Sequence, residues 1–268
     1  MAIVTGGASG IGRAVCEELA RKGAVVIAAD KNLEGAKQTA DRVPGSGAII
    51  AAQLDVSSPG EVSSLVERVA GEHGRLDFMF NNAGIGVGGE VRDIPLDDWR
   101  QIVGVNIYGV VYGSVAAYRL MVRQGFGHIV NTASLAGLLP SPTLTPYSMS
   151  KHAVVGLSSS LRAEGAGLGV KVSVICPAFV QTGIYDASLI SNASAGDMVA
   201  RVPFKMISAD SAARAILRGV RRNRAFIVFP FYGRVLWRLY RISPRLLEPL
   251  ARRTVNDFRG ARIERSGG

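Results

Sequence analysis

Short runs of β-branched and other apolar residues recur along this chain, and between them apolar residues return every third or fourth position. The runs "AIVTG" (2–6), "AVVIAAD" (24–30), "GAIIAAQLD" (47–55), "LDFMFNNAG" (76–84), "GHIVNTAS" (127–134), "VKVSVICP" (170–177) and "AFIVFP" (225–230) predict strands covered on both faces. The stretches "IGRAVCEELARKG", "SPGEVSSLVERVAGEHG", "PLDDWRQIVGVNIYGVVYGSVAAYRLMVRQG" and "SKHAVVGLSSSLRAEGA" carry the helical period. Strands alternating with crossover helices predict an α/β fold: a Rossmann-like three-layer sandwich over residues 1–230, its seven-stranded parallel, doubly wound sheet covered by helices on both faces. In such a sheet ligands bind beyond the carboxyl ends of the strands, so the chemistry is expected just after each run.

The first run leads into "TGGASGIGRAV", with Gly6, Gly7, Gly10 and Gly12 directly before a predicted helix. Glycines let backbone N–H groups approach a pyrophosphate, and the helix start offers it unpaired N–H groups and a positive dipole end. The second run ends in Asp30, 18 residues beyond Gly12. A carboxylate there accepts from ribose hydroxyls and repels a 2′-phosphate, which favours NAD; Lys31, directly after it, favours NADP. A turn or helix cap is the other reading of Asp30. Further on, "TPYSMSKHAVVG" (145–156) sets Tyr147 four residues before Lys151, one helical turn apart on one face. Chance alone often produces that spacing, with a solvated lysine beside a half-buried tyrosine.

Taken together these segments resemble the short-chain dehydrogenase/reductase family. The resemblance spans roughly residues 2–230 and rests on "TGGASGIG" (5–12), "LDVS" (54–57), "NNAG" (81–84), Asn106, Ser134 in "NTAS" and "YSMSK" (147–151). It implies NAD(P)-dependent hydride transfer at CH–OH groups with a catalytic set of Asn106, Ser134, Tyr147 and Lys151. Tyr147 would exchange a proton with the substrate oxygen; a free phenol titrates near ~10, too high for a base at neutral pH, and Lys151 would favour the phenolate while bonding the nicotinamide ribose. Ser134 would orient the substrate oxygen, and Asn106 would hold a water near the lysine; a buried helix asparagine satisfied by backbone is the competing reading. Gly6, Gly10, Ile11 and Gly12 would hold the phosphates, Asp30 the ribose, and Asp55 and Val56 the adenine. Asn82, Ala83 and Gly84 would line the cofactor channel, with Pro177, Val180 and Thr182 at the nicotinamide. Ala178 stands where the family usually has glycine.

Residues 183–206 fall where the family carries its variable substrate lid, here with Leu189, Ile190, Met198, Val199, Phe204 and Met206. With Leu135, Leu138, Leu139 and Leu144 near Ser134, they suggest a lipophilic secondary alcohol or ketone (a steroid, a retinoid or a long-chain alcohol), unless they merely pack beneath the loops.

Composition narrows the picture. At 268 residues, 48% hydrophobic and 19% charged, the chain fits a globular domain rather than disorder or a polytopic membrane protein. Cys16 and Cys176, far apart in apolar surroundings, read as reduced buried thiols; His73, His128 and His152 form no ligand spacing, so no metal site is expected. "MAIVTGG" lacks a basic, apolar leader, which predicts a cytoplasmic enzyme. The formal charge of +10 is confined: residues 1–200 carry a net −2 and residues 201–268 a net +12.

That basic quarter includes an extension, 231–268, beyond the expected last strand. It interleaves Phe231, Trp237, Leu239 and Tyr240 with Arg234, Arg238 and Arg241 at helical spacing. An amphipathic helix of this composition suits an anionic membrane surface over residues 229–253, a second subunit or its own core. The family resemblance implies a homodimer or homotetramer. Nucleic-acid binding is not expected, because no recognition motif accompanies the charge. A dinucleotide sensor without catalysis is the other alternative, and the presence of Ser134, Tyr147 and Lys151 speaks against it.

Overall fold

The computed structural model describes residues 1–42, 45–184, 188–192 and 204–260. The chain runs β1 (Ala2–Thr5), α1 (Gly10–Ala20), β2 (Val25–Asp30), α2 (Leu33–Ala40), β3 (Ala48–Gln53), α3 (Pro59–His73) and β4 (Phe78–Asn81). After a two-residue β5 (Val87–Gly88) come α4 (Leu96–Val103), a π-helical turn (Gly104–Tyr108), α5 (Gly109–Gln124), β6 (Gly127–Thr132), α6 (Thr145–Gly165) and β7 (Val170–Pro177). Short strands β8 (Val180–Gln181), β9 (Leu189–Ile190) and β10 (Ile207–Ser208) precede α7 (Ala209–Arg221) and β11 (Phe226–Phe229). The extension follows as α8 (Phe231–Ile242) and α9 (Glu248–Gly260), joined by a 3₁₀ turn at Pro244–Leu247.

All seven expected strands form, in one parallel sheet ordered β11-β7-β6-β4-β1-β2-β3. The order reverses between β1 and β4, and a crevice opens there at the carboxyl ends. Successive strand residues face opposite layers: Val4, Phe80, Val130 and Ile175 pack with α1 and α7, whereas Ile3, Met79, Ile129 and Val172 pack with α3 and α5. Local signals set the helix ends. Ser58 accepts the Glu61 amide at the start of α3, Pro59 occupies the first turn, and Gly74 ends the helix at φ +70°.

The long helical pattern at 95–125 is interrupted as the structure has it: α4 and α5 are separated by the π turn that contains Asn106. Of the expected lid, Leu189 and Ile190 pair with Val87 and Gly88, and Phe204 stacks on Tyr232 at the start of α8, ring centroids 4.4 Å apart. Met198 and Val199 lie outside the described residues. Leu236, Trp237, Tyr240 and Leu247 pack onto the cluster around Val174, Cys176 and Val228, so one face of the extension is buried against its own chain.

Candidate active site

A cavity of about 1050 Å³ follows the carboxyl ends of the sheet. At its dinucleotide end, Gly6 and Gly10 adopt φ +68° and +54°, and a Cβ on Gly12 would lie 2.0 Å from the Gly6 carbonyl oxygen. Gly6, Gly10 and Ile11 line the cavity; Gly12 does not, because it lies buried where α1 meets the glycine turn and the Asn82 side chain. Its role is the close approach of α1. Ser9 gives α1 no side-chain cap, so the first-turn amides stay available for phosphate oxygens.

Asp30 accepts from the Ala8 amide at 3.0 Å and the Asn32 amide at 2.9 Å while lining the cavity. It caps its own turn, and its remaining lone pairs leave it able to accept from a ligand in the cavity as well. Lys31, which also lines the cavity, pairs with Asp55 there, Nζ to Oδ2 3.2 Å. Hydrogen bonds from Ser57, with Lys31 adding its charge, hold the Asp55 carboxyl below the usual carboxylate range. Thr5 Oγ1 accepts the amides of Asn82 and Ala83 at 3.0 and 3.1 Å, which pins the loop after β4 at the point where the strand order reverses. Val56, Gly84, Pro177, Val180 and Thr182 complete the expected lining. The groove, the bare glycine turn and the carboxylate at the end of β2 fit a dinucleotide, whose nicotinamide supplies or accepts the hydride.

Ser134, extended after β6, caps the 3₁₀ turn Leu135–Gly137 by accepting the Ala136 amide at 3.1 Å. α6 sits close on that turn. A Cβ on Gly137 would meet the Lys151 carbonyl oxygen at 2.5 Å, and Ser148 donates to the Ala136 carbonyl at 2.8 Å. The arrangement sets the Ser134 hydroxyl, which donates to the Pro177 carbonyl at 3.4 Å, beside the Tyr147 phenol. Burial raises the Tyr147 pKa, opposed by the Ser134 hydroxyl beside it, so the phenol is protonated at neutral pH. Lys151 is 3% exposed; its Nζ donates to the Thr132 carbonyl at 3.0 Å and stands 5.5 Å from the Tyr147 ring centroid. Burial pushes it down to about 8. Burial thus favours the neutral form of both groups, against the expectation that Lys151 favours the phenolate.

Asn106 lies behind these residues and does not line the cavity. Its Oδ1 accepts the Ile85 amide at 2.9 Å, and its Nδ2 donates to the Ile85 carbonyl at 2.9 Å and to Ser150 Oγ at 3.1 Å. That geometry matches the backbone-satisfied reading and leaves one Oδ1 lone pair over. A Cβ on Gly84 would sit 3.2 Å from that oxygen and 3.4 Å from Lys151 Nζ. Gly84 therefore leaves open the space into which both groups look.

The end of the cavity away from the glycine turn holds residues that the sequence placed, if at all, only on the amphipathic face of the extension. Leu236, Leu247, Leu250, Ala251, Thr254 and Phe258 line the cavity from the extension, opposite Leu139, Ile184 and Phe204. From 247 to 258 they follow helical spacing, the signal that could have found them. Phe258 is buried, and the next residue, Arg259, donates to Glu90 Oε1 through Nε and Nη2 at 2.9 and 2.7 Å. Arg259 and Arg92 hold the Glu90 carboxyl below its ordinary range. No spacing in the sequence announces a pair 169 residues apart.

Sheet order and groove together have the form of a dinucleotide-binding domain. The short chain dehydrogenase family profile matches residues 1–191. Over 261 residues the chain is 33% identical to the probable oxidoreductase EphD of Mycobacterium tuberculosis, an alignment that covers 93% of this chain and 44% of that protein. The chain thus spans less than half the length of that relative. Meso-2,3-butanediol dehydrogenase of Serratia marcescens is 37% identical over 185 residues, 68% of this chain and 72% of that enzyme. A short-chain dehydrogenase from Burkholderia phymatum, solved in complex with NAD, superposes with a TM-score of 0.83 at 31% identity and covers 91% of this chain and 94% of that one. The chain belongs to the short-chain dehydrogenase/reductase family.

Proposed function

We propose that this chain transfers hydride between NAD and a lipophilic secondary alcohol or ketone. The apolar wall that α9 lays over the substrate end of the cavity carries the reading, since an elongated apolar pocket favours an apolar substrate. Ser134 orients the substrate oxygen, Tyr147 gives or takes its proton, and Lys151 and Asn106 hold the region around them. NAD is preferred over NADP because Asp30 faces the ribose end while Lys31, the nearby cation, is drawn to Asp55. A cytoplasmic homodimer or homotetramer that reaches a membrane surface through α8 belongs to the same reading.

Turnover of hydroxysteroids, retinol and alcohols of increasing chain length, followed by NADH absorbance with NAD and NADP in parallel, tests it. Oxidation of long or polycyclic alcohols, lost in Tyr147→Phe, is expected. Phe258→Ala should raise KM for bulky alcohols more than for short ones. Turnover restricted to small diols, or equal use of NADP, overturns the substrate or cofactor part respectively.

A further inference from the structure

Between Asp210 and Glu248 the chain carries nine arginines and no acidic residue. Four of them, Arg218, Arg222, Arg224 and Arg234, rim a second cavity of about 240 Å³ on the far side of α7 and β11, floored by Gly219 and Ile227. Among the described residues none of these four has a carboxylate within ion-pair distance. Guanidinium groups gathered without counter-charge repel one another and favour any anion that enters; their planar forks suit phosphate oxygens.

The cavity borders the uncovered face of α8. Arg234 on its rim stands 5.7 Å over the ring of Phe231, the first residue of that helix. At 100° per residue Phe231, Val235, Leu239 and Ile242 form one stripe, and Arg234, Arg238 and Arg241 form another beside it. Phe231 is 69% and Ile242 77% exposed, although the opposite face of α8 is packed on the core. An aliphatic stripe flanked by arginines and set next to an arginine-rimmed hollow has the chemistry of a bilayer interface: acyl boundary, then phosphate.

We infer that this surface docks on an anionic phospholipid membrane, with a headgroup phosphate seated among Arg218, Arg222, Arg224 and Arg234 and the Phe231–Ile242 stripe in the acyl boundary. The inference narrows the membrane part of the reading above to a defined site and stands apart from its catalytic part. A second copy of the chain is a poorer occupant, because a two-fold contact would set the arginine stripe against itself. A nucleic acid would answer the arginines and leave the aliphatic stripe in water.

Co-flotation of the full chain with phosphatidylcholine vesicles, with or without phosphatidylglycerol, tests the inference. Binding is expected only with the anionic lipid and should weaken as salt is added. Arg222→Glu/Arg224→Glu and, separately, Phe231→Ser/Ile242→Ser should each lower vesicle affinity about tenfold or more. NAD binding serves as the control for folding. Wild-type binding by the arginine variant, or tighter binding to duplex DNA than to anionic vesicles, would overturn it. So would a dimer that the serine variant dissociates without any vesicle binding in the wild type. Flotation needs no turnover, so a chain that binds vesicles yet oxidises no alcohol refutes the catalytic reading alone.

Discussion

Strand β6 has a buried basic group at each end, and the protein treats the two in opposite ways. At its amino end His128 is 4% exposed, with Nε2 2.8 Å from Ser173 Oγ. Ser173 donates its own proton to the Arg224 carbonyl at 2.6 Å, so the histidine must donate to it and carries its proton on Nε2. Burial, with the charges of Lys171 and Arg162, pushes His128 down to about 4, and it is neutral at pH 7. At the carboxyl end Lys151 is equally buried and is given the Thr132 carbonyl, yet its pKa of about 8 leaves it charged at pH 7. The structural group gives up its charge to be buried. The group beside Tyr147 keeps its charge, and the fold bears the cost, as sites shaped for function commonly do.

The largest effect should come at the carboxyl end. Tyr147→Phe should lower kcat by roughly 10²–10⁴-fold, the usual contribution of a positioned general acid or base, with unfolding by urea nearly unchanged. Lys151→Met sharpens the contrast by dividing activity from stability. Turnover should fall by about 10²-fold or more, while the variant unfolds no more easily than the wild type at pH 7. The wild type should gain on the order of 3 kcal/mol between pH 8 and 10.5, because the unfolded lysine, with its ordinary value of 10.5, binds the extra proton there; the variant should lack this rise.

At the amino end the depressed pKa predicts stability that is complete above pH 6.5 and lost as pH falls through 4. Urea midpoints should register a loss on the order of 3 kcal/mol across that window, absent in His128→Asn; an unchanged slope in that variant would refute the assignment. Ser173→Ala should have the smallest effect, about 1 kcal/mol at pH 7, with turnover untouched.

The carboxyl end was far more legible in the sequence than the amino end. Strand runs, the glycine turn, Asp30 and the Tyr147–Lys151 spacing are local patterns, and local patterns survive without knowledge of the fold. His128 carried only the absence of ligand spacing; its partners Ser173 and Arg224 come from β7 and the segment before β11. The same limit governed α9. Its periodicity announces an apolar face, but what covers that face depends on where the chain turns at Pro244–Leu247 and on the Arg259–Glu90 pair. Asn106 was located in its helix, and the π turn that aims its amide at Ile85 left no mark in hydrophobic spacing.

That π turn gives the segment one residue to spare. Its signature bond, from the Gly109 amide to the Gly104 carbonyl, spans one residue more than an α-helical bond. Deleting one residue other than Asn106 from 105–108 would make the same two groups an ordinary α-helical pair and leave α5 in register on α4, with Gly109 still against Val56. What would be lost is the wide turn that aims the Asn106 amide at Ile85. A deletion within α5 at 110–112 has no spare residue to absorb it, and would turn the rest of that helix by about 100°, carrying Gly113 away from Asn81 Oδ1, where a Cβ would lie 1.9 Å off. Single-codon deletions should therefore be better tolerated at 105, 107 or 108 than at 110–112.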